Sequence, residues 1–423
     1  MVTESQVLEA HRRSGGKIEI LGKVRISSSE DLSTYYTPGV AYVSTAVAKD
    51  REKAYEYTSK ANTIAIINDG TRVLGLGNIG PEGGLPVMEG KALLFKKYGG
   101  VDAIPLCIGV TDKQAIIEFA RAVAPTFGGI VIEDIESPKS LEIVDELSRL
   151  LDIPVFHDDQ QGLACIVLAG LINSFRLAGK DIKKSRIAVM GCGSAGIGVA
   201  RILHKIGVKN LYVSDSAGLI FGGRGNLSKE KLEIASFSNP DMLCGGFELA
   251  ANGADAIIGL STSGRFSREL IGSMAEKPIV FALTNPNPEI SYSEAKAAGA
   301  FIVATGRSDD PNQINNLMAF PGIMRGLLDT RAREVNYDIL HDVAKAIAKL
   351  AGKRISQERI VPGIINYKES AAAMSAVAEA TAKAAISSGV ARLKPDPKEV
   401  RKHTKMLLKR YRMIEKRAIP QGR

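Results

Sequence analysis

The chain holds only four cysteines in 423 residues (Cys107, Cys165, Cys192 and Cys244), scattered and without a C-x-x-C pair. That excludes a disulfide framework and a zinc site, and reads as reduced thiols in a cytoplasmic protein. Tryptophan is absent. No apolar run reaches the ~18 residues that suggest a membrane span. The opening stretch Met1–Lys17 is too polar and charged for a secretory signal. Most of the chain also lacks any excess of one charge. The formal net charge is +9, but the residues from Ala391 onward hold 12 Lys and Arg against 3 acids, leaving 43 basic and 43 acidic residues before them. A neutral body does not support a nucleic-acid or membrane function for the whole chain.

What is present is of ordinary globular composition, 45% apolar and 24% charged, and long enough for two or three domains with their own cores. The 42 glycines suit a fold with many tight strand-to-helix turns. Thr63–Ile67 is a β-branched run ending in Asn68-Asp69-Gly70, followed by Arg72–Leu76, so Asp69-Gly70 is expected to turn a hairpin. Gly129–Ile132 and Ile153–Phe156 read as short buried strands. Between them Leu141, Val144, Leu147 and Leu151 carry helical spacing. Strand, helix and strand in that order form a parallel crossover unit.

From Gly162 to Leu177 the chain reads as an apolar helix. Strands Ile187–Met190, Leu211–Val213, Ala256–Ile258, Ile279–Phe281 and Phe301–Val303 then alternate with Gly-rich turns and helical segments. The expected fold class is therefore α/β. An N-terminal α/β unit covers residues 1–160 and a Rossmann-type doubly wound parallel sheet covers 161–320. C-terminal helices and a basic tail cover 321–423, with helices near Tyr337–Leu350 and Glu369–Ser388.

G-x-G-x-x-G occurs twice, and context separates the copies. After Gly75-Leu-Gly77-Asn-Ile-Gly80 comes Pro-Glu-Gly-Gly, which is expected not to open a regular helix. Gly191-Cys-Gly193-Ser194-Ala195-Gly196 follows an apolar strand and opens a helix, and the next strand ends at Asp215, 19 residues after Gly196. Glycines there permit a tight turn and bring a pyrophosphate close to the helix N-terminus, while Asp215 can bond both ribose hydroxyls. The cofactor is thus NAD or NADP. Asp215 favours NAD, and Arg224 and Lys229 downstream could accommodate the NADP phosphate.

Glu133-Asp134 and Asp158-Asp159 both lie just past strand ends of one crossover unit, the edge where parallel sheets bind ligands. Clustered carboxylates repel unless a cation or protons intervene, and oxygen ligands suit Mg²⁺ or Mn²⁺. The bland alternative is two solvated acidic turns.

At this point the residues resemble those of the malic enzymes, specifically the short bacterial and archaeal form. The resemblance runs from about Tyr35 to Ala332. It rests on Tyr35-Tyr-Thr-Pro-Gly-Val-Ala41, Asn68–Gly80, Pro86-Val-Met-Glu-Gly-Lys91, Glu133-Asp134, Phe156-His-Asp-Asp-Gln-Gln-Gly162, Thr284-Asn-Pro286 and Asn312-Gln-Ile-Asn-Asn316. It implies oxidative decarboxylation of L-malate to pyruvate and CO₂ by a homodimer, with substrate and metal in the first unit and NAD(P) in the second. By the family pattern Tyr36 is the general acid, Lys91 the general base, and Asp158 the acid that positions and tunes the lysine. Glu133, Asp134 and Asp159 ligate Mg²⁺ or Mn²⁺. Arg72 pairs with a substrate carboxylate, and Asn285, Asn315 and Asn316 fall in strings that contact substrate and nicotinamide.

The chemistry needs these residue types. Lys91 must be neutral to take the malate hydroxyl proton, so its pKa has to fall below ~10.4. Tyr36 supplies the proton to C3 after CO₂ leaves. Leu163 stands where many relatives carry Thr, which alters packing near the metal but removes no ligand. Two rivals remain. Malolactic-type chemistry keeps the NADH and releases lactate, and a silent malate or nucleotide sensor would retain the fold without turnover. The tail from Lys398 to Arg417 mixes apolar and basic residues. It reads as a terminal helix lying on its own or a neighbouring subunit, with a nucleic-acid or anionic-lipid role as the less favoured reading.

Overall fold

The computed structural model describes residues 3–363 and 366–418. Strand β1, Thr63–Asn68, is buried along its whole length. A strand apolar on both faces belongs in the middle of a parallel sheet. It pairs in parallel with β2 (Asp102–Cys107) on one side and β3 (Gly129–Ile132) on the other, and β3 pairs in parallel with β4 (Val155–His157). The sheet order is β2-β1-β3-β4, and helix Lys139–Leu150 makes the expected β3-to-β4 crossover.

Two local expectations fail here. Asp69-Gly70 does not turn a hairpin, because both edges of β1 are already taken by parallel partners. Arg72–Leu76 instead forms a tight loop closed by a single bridge between Val73 and Gly77. The sequence after the first glycine fingerprint does open a helix, Gly80–Leu94. Pro81 sits in its first turn, where a missing N–H costs nothing. Glycines let this helix approach β1 closely: a Cβ on Gly84 would lie 2.6 Å from Asn68 Oδ1.

The second sheet has order β10-β9-β8-β5-β6-β7. Its members are β5 (Arg186–Met190), β6 (Asn210–Asp215), β7 (Gly218–Leu219), β8 (Ala256–Gly259), β9 (Ile279–Ala282) and β10 (Ile302–Thr305). All pairs are parallel except the short β6–β7 edge. The order reverses at β5, so the crevice at its carboxyl end is where a doubly wound sheet takes a ligand. Helix Leu163–Ala178 runs through the apolar core shared by both sheets. Among the described residues, Asp158–Ala178 is the one stretch long and apolar enough to cross a membrane, but 78% of it is buried inside the protein, as expected of a core helix.

Helices Phe320–Asp329, Tyr337–Ala351, Tyr367–Ser387 and Pro397–Ala418 complete the chain. Helix Tyr367–Ser387 packs closely on helix Phe320–Asp329: a Cβ on Gly322 or Gly326 would run into Val377 or Thr381. The basic helix Pro397–Ala418 lies on its own chain. Val400, Thr404 and Leu408 are buried, Arg401 pairs with Glu379, and Lys97 pairs with Glu415 at 2.8 Å.

Candidate active site

The carboxyl ends of β3 and β4 deliver the acids. Asp134 follows β3 in a left-handed conformation (φ 50°), which Asp tolerates better than most residues. After β4 the chain enters one π-helical turn, Asp158–Gly162, which puts Asp158 and Asp159 opposite Glu133 and Asp134. One carboxylate oxygen from each of Glu133, Asp134 and Asp159 lies within 4.8 Å of the others.

Lys91 arrives from the last turn of helix Gly80–Leu94. Its Nζ sits 2.5 Å from Glu133 Oε1 and 2.5 Å from Asp158 Oδ2. Asp158 is fully buried and also accepts a 2.6 Å hydrogen bond from the amide of Asn316. Burial alone would favour the neutral amine of Lys91, but Asp158, Glu133 and Asp159 outweigh it and hold the ammonium above the ordinary lysine range. This is the opposite of the shift expected for a general base, because two carboxylates are in contact with the amine. Burial likewise pushes the acids up, Asp134 to about 7 and Asp158 to about 6, and Glu133 rises too.

Three carboxylate oxygens here, Glu133 Oε2, Asp134 Oδ2 and Asp158 Oδ1, are buried without a hydrogen-bond partner. Buried acceptors left this way are costly, and two of them belong to the converging trio. An all-oxygen set that lacks donors fits a hard divalent cation such as Mg²⁺ or Mn²⁺.

The dinucleotide turn lies alongside. Gly191 has φ 107°, and a Cβ on Gly196 would overlap the Gly191 carbonyl oxygen, so both positions need glycine. Gly193 precedes helix Ser194–Lys205, whose first residues Ser194, Ala195 and Gly196 present N–H groups for an anion. The turn touches the first unit, with Ser194 Oγ 3.3 Å from Ser140 Oγ. Asp215 ends β6, but its carboxylate is not free. Oδ2 accepts from Arg224 and from Lys231 at 2.6 Å each, and Oδ1 accepts from Ala217 N at 2.9 Å. Although burial pushes the other way, these partners hold Asp215 below the usual carboxylate range. The second cation is Lys231, not Lys229 as the sequence suggested. Residues two apart on helix Lys229–Phe237 point to nearly opposite sides, and Lys229 faces a cleft with Arg149 and Arg201.

The remaining expected residues are spread around this centre. Arg72 is exposed, with its backbone N bonded to Asp134 O at 3.1 Å, next to the acid trio. Asn315 caps the turn Asn316–Met318, and the exposed Asn285 amide lies over Gly306. Tyr36 stands apart. It ends helix Ser29–Tyr35, is 65% exposed, and its hydroxyl makes no hydrogen bond among the described residues. Helices Glu4–Ser14, Ser29–Tyr35 and Val40–Lys49 bury no residue at all. Two contacts at the centre had no sequence signal, the Asn316 clasp on Asp158 and the Lys231 pair with Asp215, because each depends on tertiary packing across the chain.

Comparison with known proteins gives one consistent result. Residues 15–148 match the family described as malic enzyme, N-terminal domain, and residues 160–386 match malic enzyme, NAD binding domain. The bifunctional malic/malolactic enzyme of Bacillus subtilis (strain 168) is 44% identical over 409 residues, 96% of this chain and 99% of that protein. The NAD-dependent malic enzyme of Geobacillus stearothermophilus is 46% identical over 379 residues, 89% of this chain and 78% of that one. Among solved structures, the malic enzyme from Pyrococcus horikoshii Ot3 superposes with a TM-score of 0.92 at 43% identity, covering 98% and 97% of the two chains.

Proposed function

The chain belongs to the malic enzyme family, and on that premise we propose that it oxidises L-malate to pyruvate and CO₂ while reducing NAD⁺ or NADP⁺ in the cytoplasm, where its four unpaired cysteines stay reduced. The observation that carries this reading is Lys91 held between Glu133 and Asp158, beside a converging acid trio and next to a dinucleotide turn. In this reading residues 1–160 form the substrate and metal unit, 161–320 the dinucleotide unit and 321–423 a helical region that supports them.

Glu133, Asp134 and Asp159 would hold the cation. A divalent ion bound there supplies Lewis-acid polarisation of the malate hydroxyl and of the oxygen that gathers charge on decarboxylation. The bound dinucleotide supplies the hydride acceptor. Arg72 orients malate through a carboxylate, and Asn285, Asn315 and Asn316 line the approach to the nicotinamide. Lys91, as the neutral amine, takes the hydroxyl proton while the C2 hydrogen leaves with its electron pair. The C3–C4 bond then breaks, CO₂ departs, and C3 of the resulting enol is protonated, a step Tyr36 would perform once the exposed N-terminal arm is brought over the centre. Asp158 fixes the lysine, and Asn316 fixes Asp158.

The ribose end supports use of NADP as well as NAD. Asp215 is already neutralised by two cations, and Arg224 is anchored independently by the carbonyls of Gly218 and Leu219 at 3.1 Å. A 2′-phosphate would therefore meet a net positive cluster. The N-terminal arm supports a homodimer. Ile20 is 94% exposed and Tyr42 81%, and Leu21, Val24, Ile26 and Leu32 of the same arm are exposed too, apolar side chains that a partner subunit would cover. A second copy covering this arm would also close the surroundings of Tyr36.

The test is product stoichiometry from L-malate with Mn²⁺ and either nucleotide. Equal amounts of NAD(P)H and pyruvate, both abolished by EDTA, are expected. The name of the Bacillus subtilis relative keeps one second reading open, and lactate without net NADH would select it. No turnover with measurable dinucleotide binding would leave a sensor on the same fold.

A further inference from the structure

Glu289 is completely buried, yet it is paired with no lysine or arginine among the described residues. Its carboxyl group bonds only neutral donors on two loops. Oε1 accepts from Ser261 N at 3.3 Å and from Thr284 Oγ1 at 2.5 Å, and Oε2 accepts from Thr284 N at 3.2 Å. Its own carbonyl accepts from Phe266 N at 3.0 Å, and that of Pro288 accepts from Gly264 N at 3.2 Å. Room for the carboxyl comes from Gly259, the last residue of β8, where a Cβ would overlap it. A buried carboxyl without a cation is an expensive way to join two loops, and a well-packed apolar side chain would fill the same space at lower cost.

Both loops leave the carboxyl ends of neighbouring strands, β8 and β9, and both reach the candidate site. Ser261 lies against the dinucleotide turn, where a Cβ on Gly191 would come within 3.2 Å of Ser261 Cβ. Thr284 directly precedes Asn285. On the far side, a Cβ on Gly75 would stand 3.6 Å from Asn285 O, so the Arg72-bearing loop also abuts Asn285. We infer that Glu289 is a positioning residue: its buried carboxyl ties the Ser261 loop to the Thr284-Asn285 loop and so sets Asn285 between the dinucleotide turn and the substrate loop. The inference rests on the proposed function for the meaning of Asn285. It makes Glu289 responsible for the nicotinamide end of the cofactor and not for the adenosine end at Asp215.

Glu289→Gln keeps the volume but turns an amide N–H₂ toward the Thr284 or Ser261 N–H, and Thr284→Val removes the hydroxyl donor while keeping the shape. With wild-type protein as reference, each variant is measured for malate turnover and for binding of ADP-ribose and NADH by calorimetry. The expected result is a fall in kcat or a rise in malate KM of about tenfold. NADH affinity falls with it, and ADP-ribose affinity stays within about twofold. A merely structural role would instead lower both affinities together with the melting temperature. Unchanged kinetics in folded variants would overturn the inference. If the wild type itself shows no turnover, the proposed function fails. The gap between NADH and ADP-ribose affinity then still decides the role of Glu289, since an unchanged gap in the variants contradicts it.

Discussion

At the scale of single residues, the acids were legible because chemistry-bearing residue types stood just past predicted strand ends. Glu133, Asp134 and Asp159 converge as that placement required. What spacing could not convey is which charges touch. Lys91 in contact with two carboxylates is held protonated, so its work as a base requires that one partner be engaged elsewhere, and Glu133 is the partner that also belongs to the acid trio. The ribose end shows the same limit, since the helix geometry that selects Lys231 over Lys229 appears only once the Ser228 cap fixes where helix Lys229–Phe237 begins. A prediction belongs to this scale. Lys231→Ala should weaken binding of 2′,5′-ADP by about tenfold, the loss expected for one charge-assisted contact of roughly 1.5 kcal/mol. Binding of 5′-AMP should hardly change. Calorimetry with the two nucleotides checks it, and equal losses for both would mean that Lys231 does not meet a 2′-phosphate.

At the scale of elements, strands buried on both faces and the crossover Gly129–His157 were readable from apolar runs and their order. The false hairpin at Asp69-Gly70 came from a turn signal that is real locally but cannot see that β1 already has two parallel partners. The helix after Gly80 is masked in the sequence by Pro81 and its neighbouring glycines, which would break a helix interior but are tolerated in its first turn. One contact between elements has functional weight. Gly198, on the dinucleotide helix, packs so closely on the π-helical turn that a Cβ would overlap Gln160 O, next to Asp159. Gly198→Ala should therefore weaken Mn²⁺ and dinucleotide binding together and destabilise the fold by about 1–3 kcal/mol. A change in only one affinity would show that the two units are not coupled through this contact.

At the scale of the whole molecule, the acid trio makes stability depend on pH and metal together. In the metal-free protein Asp134 is raised to about 7, Asp158 to about 6, and Glu133 upward as well, all by burial first. Between the ordinary carboxylate range and those values the folded state holds more protons than the unfolded chain. The site's contribution to stability therefore falls as pH rises from about 4 through about 7. A cation binds the deprotonated acids, so Mn²⁺ should raise the melting temperature more at about pH 7.5 than at about pH 5. A larger rise at the lower pH would contradict this. Within the basic tail, Pro397–Ala418 is a packed helix. His403 Nδ1 sits 3.0 Å from Asp329 Oδ2, and Leu408 is buried in the body. Leu408→Ala should cost about 2–5 kcal/mol in denaturant unfolding with kcat unchanged. A cost near zero would mean that the helix is not docked in solution.

The central claim is that Lys91 takes the malate hydroxyl proton beside a cation held by Glu133, Asp134 and Asp159. The most direct measurement compares wild type and Lys91→Ala for Mn²⁺ binding by calorimetry and for NAD(P)H formed from L-malate with saturating Mn²⁺. The account predicts that the variant binds Mn²⁺ at least as well as wild type, because a cation competing for Glu133 has been removed. It also predicts that turnover falls by about 10²–10⁴-fold. A variant that still forms NAD(P)H at the wild-type rate would contradict the assignment of the base.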